Sequence, residues 1–121
     1  MPSPTPSPTL IAEATRRSGA VWVEGSLVWH LWHDGAMYLV GGGPEQPLPV
    51  GAGDRARVVV RSAASQAGVV VSWDATVTAV LPGSELWTEV VPLLAAERLN
   101  ASEGQVERWA AECAVVRLLP A

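Results

Sequence analysis

The spacing of apolar residues changes along the chain, and each spacing predicts a different kind of element. Dense Val, Trp and Leu with short polar breaks are typical of strands, and Asp34-Gly35 is a hairpin turn signal between two of them. Strands are predicted near 20–24, 27–33, 36–41, 55–61, 69–81 and 114–120.

The segment 69–81 shows the clearest alternation in the chain. Apolar side chains recur at every second position, so they lie on one face of the predicted strand. These are Val69, Val71, Trp73, Ala75, Val77 and Ala79. The other face mixes valine with serine, threonine and aspartate, which indicates a surface that is partly solvated or turned toward a ligand.

Helical patterns stand before and after these strands. Thr9 is placed to cap a helix over 10–17, and a second helical stretch over 84–100 contains Pro92. An interior proline disrupts a helix, so a kink or two short helices are expected there. A capping-box pattern at 102–105 predicts a third helix, which carries Val106, Trp109, Ala110 and Cys113 on one stripe.

Six strands with short connections and grouped helices predict a mainly β fold. The sheet is expected to be antiparallel and to close on itself as a small barrel with peripheral helices. Residues 1–9, MPSPTPSPT, alternate proline with serine or threonine and are expected to form an extended or disordered tail. Residues 10–121 are then one domain, since about 100–150 residues form one core.

Charge and composition exclude several functions. The chain has a net charge of −4 and no lysine, so all its fixed positive charge is on arginine. This excludes Schiff-base chemistry and the Gly-Lys-Ser/Thr phosphate loop, and it argues against nucleic-acid binding, which depends on phosphate neutralisation. A GC-rich genome would also leave lysine out. No signal peptide or membrane-spanning stretch is seen, so a cytosolic protein is expected.

Neither a metal site nor a nucleophile is predicted. His30 and His33 are three residues apart on a predicted strand and therefore project to opposite faces, which makes a zinc hydrolase the weakest hypothesis. Cys113 is the one cysteine, so no intrachain disulfide can form, and its place on an apolar stripe indicates a structural role. No catalytic residue can be assigned.

The tryptophans divide into two groups. Trp109 fits the core stripe of a helix and Trp22 the core of the sheet. Trp29, Trp32 and Trp73 are candidates to wall a flat aromatic ligand.

One constellation predicts anion binding. The glycines 41–43 and Gln46 stand before Arg55, Arg57 and Arg61, whose spacing places all three guanidinium groups on the same side of a strand. Ser62 and Ser65 follow. Fork-shaped donors in this arrangement suit a phosphate. The alternative is an exposed sheet edge on which arginines block aggregation, and the sequence leaves both readings open.

The same region carries a family resemblance. The segments VWHLWHDGAMYLVGGGPEQPLP and ARVVVRSAASQAGVVVSWDATVTAVLPGSELWTEVVPLLAAERLN resemble actinobacterial members of the pyridoxamine-phosphate-oxidase-like, FMN-binding split-barrel superfamily. The resemblance covers roughly residues 12–119. Its most specific pieces are Gly42–Pro49, the strand with Trp73-x-Ala75, and the helix from Trp87 to Arg98-Leu99-Asn100.

The resemblance implies a six-stranded split barrel, a homodimer, and a cofactor at the subunit interface. The family commonly binds FMN, and some branches use the deazaflavin coenzyme or haem. The phosphate would be held by Arg57, Arg61 and Ser62 beside Gly42 and Gln46, and the ring would lie near Trp29 or Trp73. Two departures from the family pattern, the missing lysines and the side-chain-poor loop 50–53, leave open a member that has lost its cofactor.

The leading hypothesis is therefore an oxidoreductase that uses FMN or deazaflavin on a small molecule. The flavin carries the electrons, so no catalytic side chain need be visible. The alternative is a non-catalytic dimeric barrel that serves as a binding or assembly module.

Overall fold

The fold is given by a computed structural model, which describes residues 7–43, 45–61, 70–97 and 104–121. The helices are α1 Pro8–Arg17, α2 Glu85–Glu97 and α3 Gln105–Glu112. The strands are β1 Val21–Val23, β2 Ser26–Val28, β3 Leu31–His33, β4 Ala36–Gly41, β5 Arg55–Arg61, β6 Val70–Val80 and β7 Ala114–Pro120.

Within these residues all seven strands form one antiparallel sheet in the order β2-β1-β5-β6-β7-β4-β3. Its two outermost strands, β2 and β3, are separated by only Trp29 and His30. Laid flat, seven strands would span about 29 Å between the outermost two, whereas the short connection reaches roughly 10 Å. The sheet must therefore curl, and it forms an antiparallel half-barrel whose edges meet at one bent segment.

This bend corrects the predicted strand count. The single strand predicted over 27–33 is two strands, because β2 pairs with β1 and β3 pairs with β4 on opposite edges of the sheet. The fold class is mainly β with peripheral helices, as predicted, with seven strands in the described part of the chain instead of six.

The two faces of the sheet bury two separate cores. The inner core lies between the concave face and Ile11 of α1, and it includes Trp73, Met37 and Leu118. The outer core lies between the other face and the helices α2 and α3, and it includes Tyr38 and Trp109. Every residue of β4 is buried because both of its faces are covered.

Alternation along β6 is confirmed over its middle. Val71, Trp73, Ala75 and Val77 are buried, and Asp74, Thr76 and Thr78 are exposed on the opposite face. Among the described residues, α2 and α3 do not cover the outer side of β1, β5 and the middle of β6, so this part of the outer sheet surface is open.

The helices differ from prediction at two points. Helix α1 begins at Pro8, and its cap is Ser7, whose hydroxyl accepts a hydrogen bond from the amide of Leu10 at 3.2 Å, in place of Thr9. Helix α2 runs unbroken through Pro92, which lies on its exposed side between buried Val91 and Leu94. Packing of this apolar face against β4 outweighs the cost of one proline.

Several predicted features lie outside the described residues. They are most of the tail 1–9, the end of the helix predicted over 84–100 and the first part of the capping box at 102–105. No helix in the described ranges is long and apolar enough to cross a membrane.

Candidate functional site

The three arginines of β5 share one face, as their spacing predicts. Arg55, Arg57 and Arg61 are exposed, and the residues between them are turned into the inner core or half-buried. We call the outward side of β5 the arginine face. It belongs to the open part of the outer sheet surface.

Arg57 is positioned by two neighbours on β6. Its Nε lies 3.1 Å from Oδ1 of Asp74, and its Nη1 donates a hydrogen bond to the hydroxyl of Ser72 at 2.7 Å. Asp74 lies directly opposite Arg57 in the register of the sheet. With side-chain exposures of 56% and 65%, this is a surface ion pair that solvent screens. It orients the guanidinium and leaves its remaining nitrogen for a ligand.

Arg61 lies over an aromatic ring. Its guanidinium carbon is 6.0 Å from the ring centroid of Trp22, within the range of a cation–π contact. Trp22 pairs with Val59 on one side and Leu27 on the other, and Leu27 is 59% exposed. The outer surface thus carries a short apolar row beside a cation.

The position of Trp22 corrects a prediction. We expected it in the sheet core, but Val21 and Val23 take the core positions and are fully buried, so Trp22 between them points to the open face and is half-buried. A three-residue strand gives too little alternation to decide which of its faces is inside.

A cleft of about 260 Å³ opens beside the arginine face. Besides Ala56, its lining consists of two arginines and two carboxylates: Arg55, Arg57, Glu24 and Asp74. Ligand-binding clefts span about 300–1,000 Å³, so this one holds part of a ligand. Its charges balance, and therefore net positive potential is expected farther along β5, at Arg61, which has no carboxylate partner among the described residues.

Gly42 and Gln46 lie apart from the arginines in one chain. Two strands, β6 and β7, stand between β5 and β4, where the glycine loop begins. The amide of Gly42 donates to the carbonyl of Gln46 at 2.8 Å, so it is already bonded. The loop and the arginine face do not form one wall within a single protomer.

The side chain of Gln46 closes the bend between β2 and β3. Its Nε2 donates to the carbonyls of Trp29 at 3.0 Å and Val40 at 3.2 Å, and its Oε1 accepts from the amide of Trp29 at 3.0 Å. The amide therefore replaces a neighbouring strand where Trp29 has left the ladder. Sequence reasoning assigned Gln46 only to the ligand, and nothing local reveals this distant partner.

The same loop is tied to α3. One carboxylate oxygen of Glu45 accepts from Nε2 of Gln105 at 3.0 Å and from Nε1 of Trp109 at 3.2 Å. The thiol of Cys113 donates to the carbonyl of Gly42 at 3.3 Å, and burial raises the pKa of that thiol, which suits a structural role.

Three tryptophans were predicted as candidates to wall a ligand, and the two of them assigned to the cofactor site, Trp29 and Trp73, have other neighbours. Trp73 is 2% exposed in the inner core and meets Trp32 edge-on, with ring centroids 6.0 Å apart. Trp29 is half-buried against Trp109 at 6.3 Å, under the outer helices. Neither lies on the arginine face. Ser62 and Ser65 lie outside the described residues.

The two histidines face different helices, but His30 lies in the bend between β2 and β3 and not on the one strand predicted for both residues. Nε2 of His30 is 2.7 Å from the carbonyl oxygen of Thr15 in α1, and Nε2 of His33 is 3.0 Å from Oε2 of Glu89 in α2. No group of three or more His, Cys, Asp or Glu side chains in the described ranges is placed to hold a metal ion.

Because of His30, the free energy of unfolding should decrease when the pH is lowered. Its burial lowers its pKa below the ordinary 6.5, against the smaller opposing effects of the Thr15 carbonyl and the charge of Glu97. As the pH falls, His30 takes up a proton in the unfolded state before it does so in the folded state. The contribution of neutral His30 to the free energy of unfolding is therefore fully present above pH 6.5 and is lost as the pH falls toward the folded-state pKa. Urea unfolding at about pH 7.5 and about pH 5.5 measures this loss.

His30→Gln is the control for that titration, because it keeps a donor for the Thr15 carbonyl and cannot take up a proton. The difference between the two pH values should shrink in this variant. An unchanged difference would assign the acid sensitivity to other groups.

A larger cleft of about 590 Å³ lies between α1 and the β3–β4 hairpin. Its lining is Pro8, Thr9, Ala12, Glu13, Arg16, Trp32, His33 and Asp34. Arg16 in it pairs with Glu13 at 3.0 Å. The lining includes Trp32 but none of the residues predicted to bind a phosphate.

A curled antiparallel sheet with a bent closing segment and helices on its outside places this chain among the split barrels. Among solved structures it is similar to HutZ, the heme storage protein from Vibrio cholerae, with a TM-score of 0.61 over 93% of this chain and 89% of that chain. At 13% identity the similarity shows the fold alone. No protein-family model matches the sequence, and no curated protein matches it.

Proposed function

We propose that this chain is a ligand-binding split barrel that holds FMN, or the related deazaflavin coenzyme, on its arginine face and acts as an oxidoreductase on a small molecule. One observation carries the proposal. On a chain of net charge −4, β5 presents Arg57 and Arg61 on an open surface beside the half-buried ring of Trp22.

The residues on this face fit the parts of a flavin nucleotide. Arg61 and the unbonded nitrogen of Arg57 supply charged donors for the phosphate, and Ser62 follows directly in the chain. Trp22 offers an aromatic surface for the ring. When bound, the flavin supplies the electron transfer, and the protein orients it.

This fit narrows the set of cofactor residues predicted from the sequence. Gly42 and Gln46 follow β4, two strands away from β5, Trp29 packs against Trp109 in the outer core, and Trp73 is inside the inner core. In the proposed homodimer the glycine loop reaches a cofactor only from the second protomer.

The proposed dimer covers the open outer surface of β1, β5 and β6. The apolar row of Leu27, Trp22 and Val59 crosses this surface, and the strongly exposed Leu27 gives it an apolar edge. A cofactor beside this row would lie at the subunit interface.

Haem, the ligand named for HutZ, fits the described residues less well. Haem iron takes a histidine, cysteine, methionine or tyrosine side chain as its axial ligand, and none of these residue types is present on β5, which carries the arginine face. We therefore derive no role for haem here.

A non-catalytic dimeric binding or assembly module is the second candidate. Arg57 is already paired with Asp74, and the exposed row at Leu27 and Trp22 serves a partner surface as well as a cofactor. A folded dimer whose tryptophan fluorescence responds to neither FMN nor deazaflavin would support the module.

The double variant Arg57→Ala, Arg61→Ala should bind FMN at least about 100-fold more weakly, because two charge-assisted hydrogen bonds contribute about 1.5–3 kcal/mol each. Titration of FMN against tryptophan fluorescence measures the loss, since Trp22 adjoins Arg61. The absorption spectrum of the purified protein, before and after added FMN, gives an independent readout.

The matched control is Arg16→Ala, Arg17→Ala. It removes the same charge from the exposed side of α1, and FMN affinity should stay within about twofold. Full FMN affinity in the Arg57 and Arg61 double variant would remove these residues from the phosphate site.

A further inference from the structure

Arg117 has no acidic partner among the described residues. It lies on β7, directly opposite Tyr38 of β4 and Thr78 of β6. The residue is half-buried, its Nε is fully buried without a hydrogen-bond partner, and no carboxylate in the described ranges lies within 4.0 Å of it.

Tyr38 is the neighbour that Arg117 contacts. Burial raises the pKa of the Tyr38 phenol, and the charge and hydrogen bond of Arg117 act in the opposite direction. A neutral phenol does not compensate a guanidinium. Half-buried charges usually acquire a counter-charge, since removing them from water is costly.

Three other arginines among the described residues have acidic partners. Arg16 and Arg17 pair with Glu13, and Arg57 pairs with Asp74. Glu89 and Asp34 act on the Tyr38 side, but Glu89 is hydrogen-bonded to His33. Arg55 and Arg61 also lack such a partner among the described residues, but both are exposed, whereas Arg117 is half-buried, so its charge points to an anion from outside.

The surface next to Arg117 offers further donors. Thr78 is exposed directly opposite Arg117, and Thr76 is exposed two residues earlier on the same face of β6. Arg55 of β5 lies opposite Thr76 on the far side. Thr76 and Thr78, about 7 Å apart along β6, therefore have an arginine on the neighbouring strand on each side.

On the β5 side, the acids near this surface are Asp74 and Glu24. Asp74 is engaged by Arg57 at 3.1 Å, and Glu24 lines the cleft at Arg55 without an ion pair in the described residues. Both lie toward β5, whereas Glu89 and Asp34 lie on the side of Tyr38 and Arg117, so each end of the pair of hydroxyls has one guanidinium with carboxylates beyond it.

We propose that Arg117, Thr78, Thr76 and Arg55 form a second anion site, which binds a phosphate group. The site uses hydroxyl and guanidinium donors, and it is separate from the phosphate position proposed at Arg57 and Arg61. A flavin is not required for it.

Inorganic phosphate is the probe that tests the second anion site. In the Arg57→Ala, Arg61→Ala background, the Nε–H of Arg117 should give its own signal in a ¹H–¹⁵N spectrum, since the atom is buried and unbonded. Phosphate, added at constant ionic strength, should shift this signal to saturation at millimolar concentration. The double variant removes the other proposed phosphate position, so the two proposals fail independently.

Two variants and one control complete the test. In Arg117→Gln, added phosphate should no longer shift the amide signals of Thr76 and Thr78 to saturation. Thr78→Val should weaken phosphate binding about three- to tenfold, because it removes one donor to the anion. Arg16→Gln should change nothing. If Arg117→Gln does not fold, Thr78→Val alters only an exposed side chain and decides the question. A linear shift without saturation, or equal affinity in Thr78→Val, would overturn the proposal.

Discussion

Gln46→Ala should lower the free energy of unfolding by about 3 kcal/mol, because its amide makes three hydrogen bonds at the bend between β2 and β3. Alanine would leave the amide and carbonyl of Trp29 and the carbonyl of Val40 without these partners. The curl of the sheet depends on this bend, so few other contacts can replace them. Urea unfolding followed by tryptophan fluorescence measures the change.

Gln46→Glu is the matched variant. It keeps the shape and the acceptor for the Trp29 amide, but it directs a carboxylate at two carbonyl oxygens, so it should be at least as destabilising as alanine near neutral pH. Glu107→Ala, on the exposed side of α3, should change stability by less than about 0.5 kcal/mol. A loss below about 1 kcal/mol for Gln46→Ala would mean that water replaces the amide.

Trp73→Ala should lower the free energy of unfolding by about 4 kcal/mol, since the ring is buried in the inner core against Trp32. Trp73→Phe should cost much less, because it also removes Nε1, a buried donor without a partner. Urea unfolding measures the change in the free energy of unfolding for both variants, and near-UV circular dichroism checks that each has the native fold.

Variants of Trp73 and Trp22 distinguish an effect on stability from an effect on FMN binding. Trp73→Phe should leave FMN affinity unchanged, and Trp22→Ala should weaken it about tenfold with a stability loss under about 1.5 kcal/mol, because Trp22 is half-buried on the open face. The reverse pattern, in which Trp73→Phe weakens FMN and Trp22→Ala does not, would place the flavin ring in the interior.

The sequence predicted the long strands well and the short ones poorly. In β5 and β6 many alternating positions indicate the same two faces, whereas the pairing of Arg57 with Asp74 was not predicted and depends on the register of the two strands. In β1 only three residues alternate, which is too few to show which face of the strand is buried. The orientation of Trp22 is therefore decided by which face the rest of the chain packs against.

The candidate site was predicted in part for the same reason. That the β5 arginines share a face is a local property of a strand. Whether the glycine loop lies beside them is a question of sheet order, and β6 and β7 separate the two. Ser62 and the phosphate role of Arg57 and Arg61 stay predictions, which the FMN titrations test.

Residue spacing alone determined the mainly β class, the helices at either end and the shared face of the three β5 arginines, because strand and helix periods are local geometry. Tertiary structure decided where the strand over 27–33 bends, that Gln46 bonds the bend, and that Trp22 is outside and Trp73 inside. These outcomes depend on contacts between residues far apart in the chain, and no local pattern contains them.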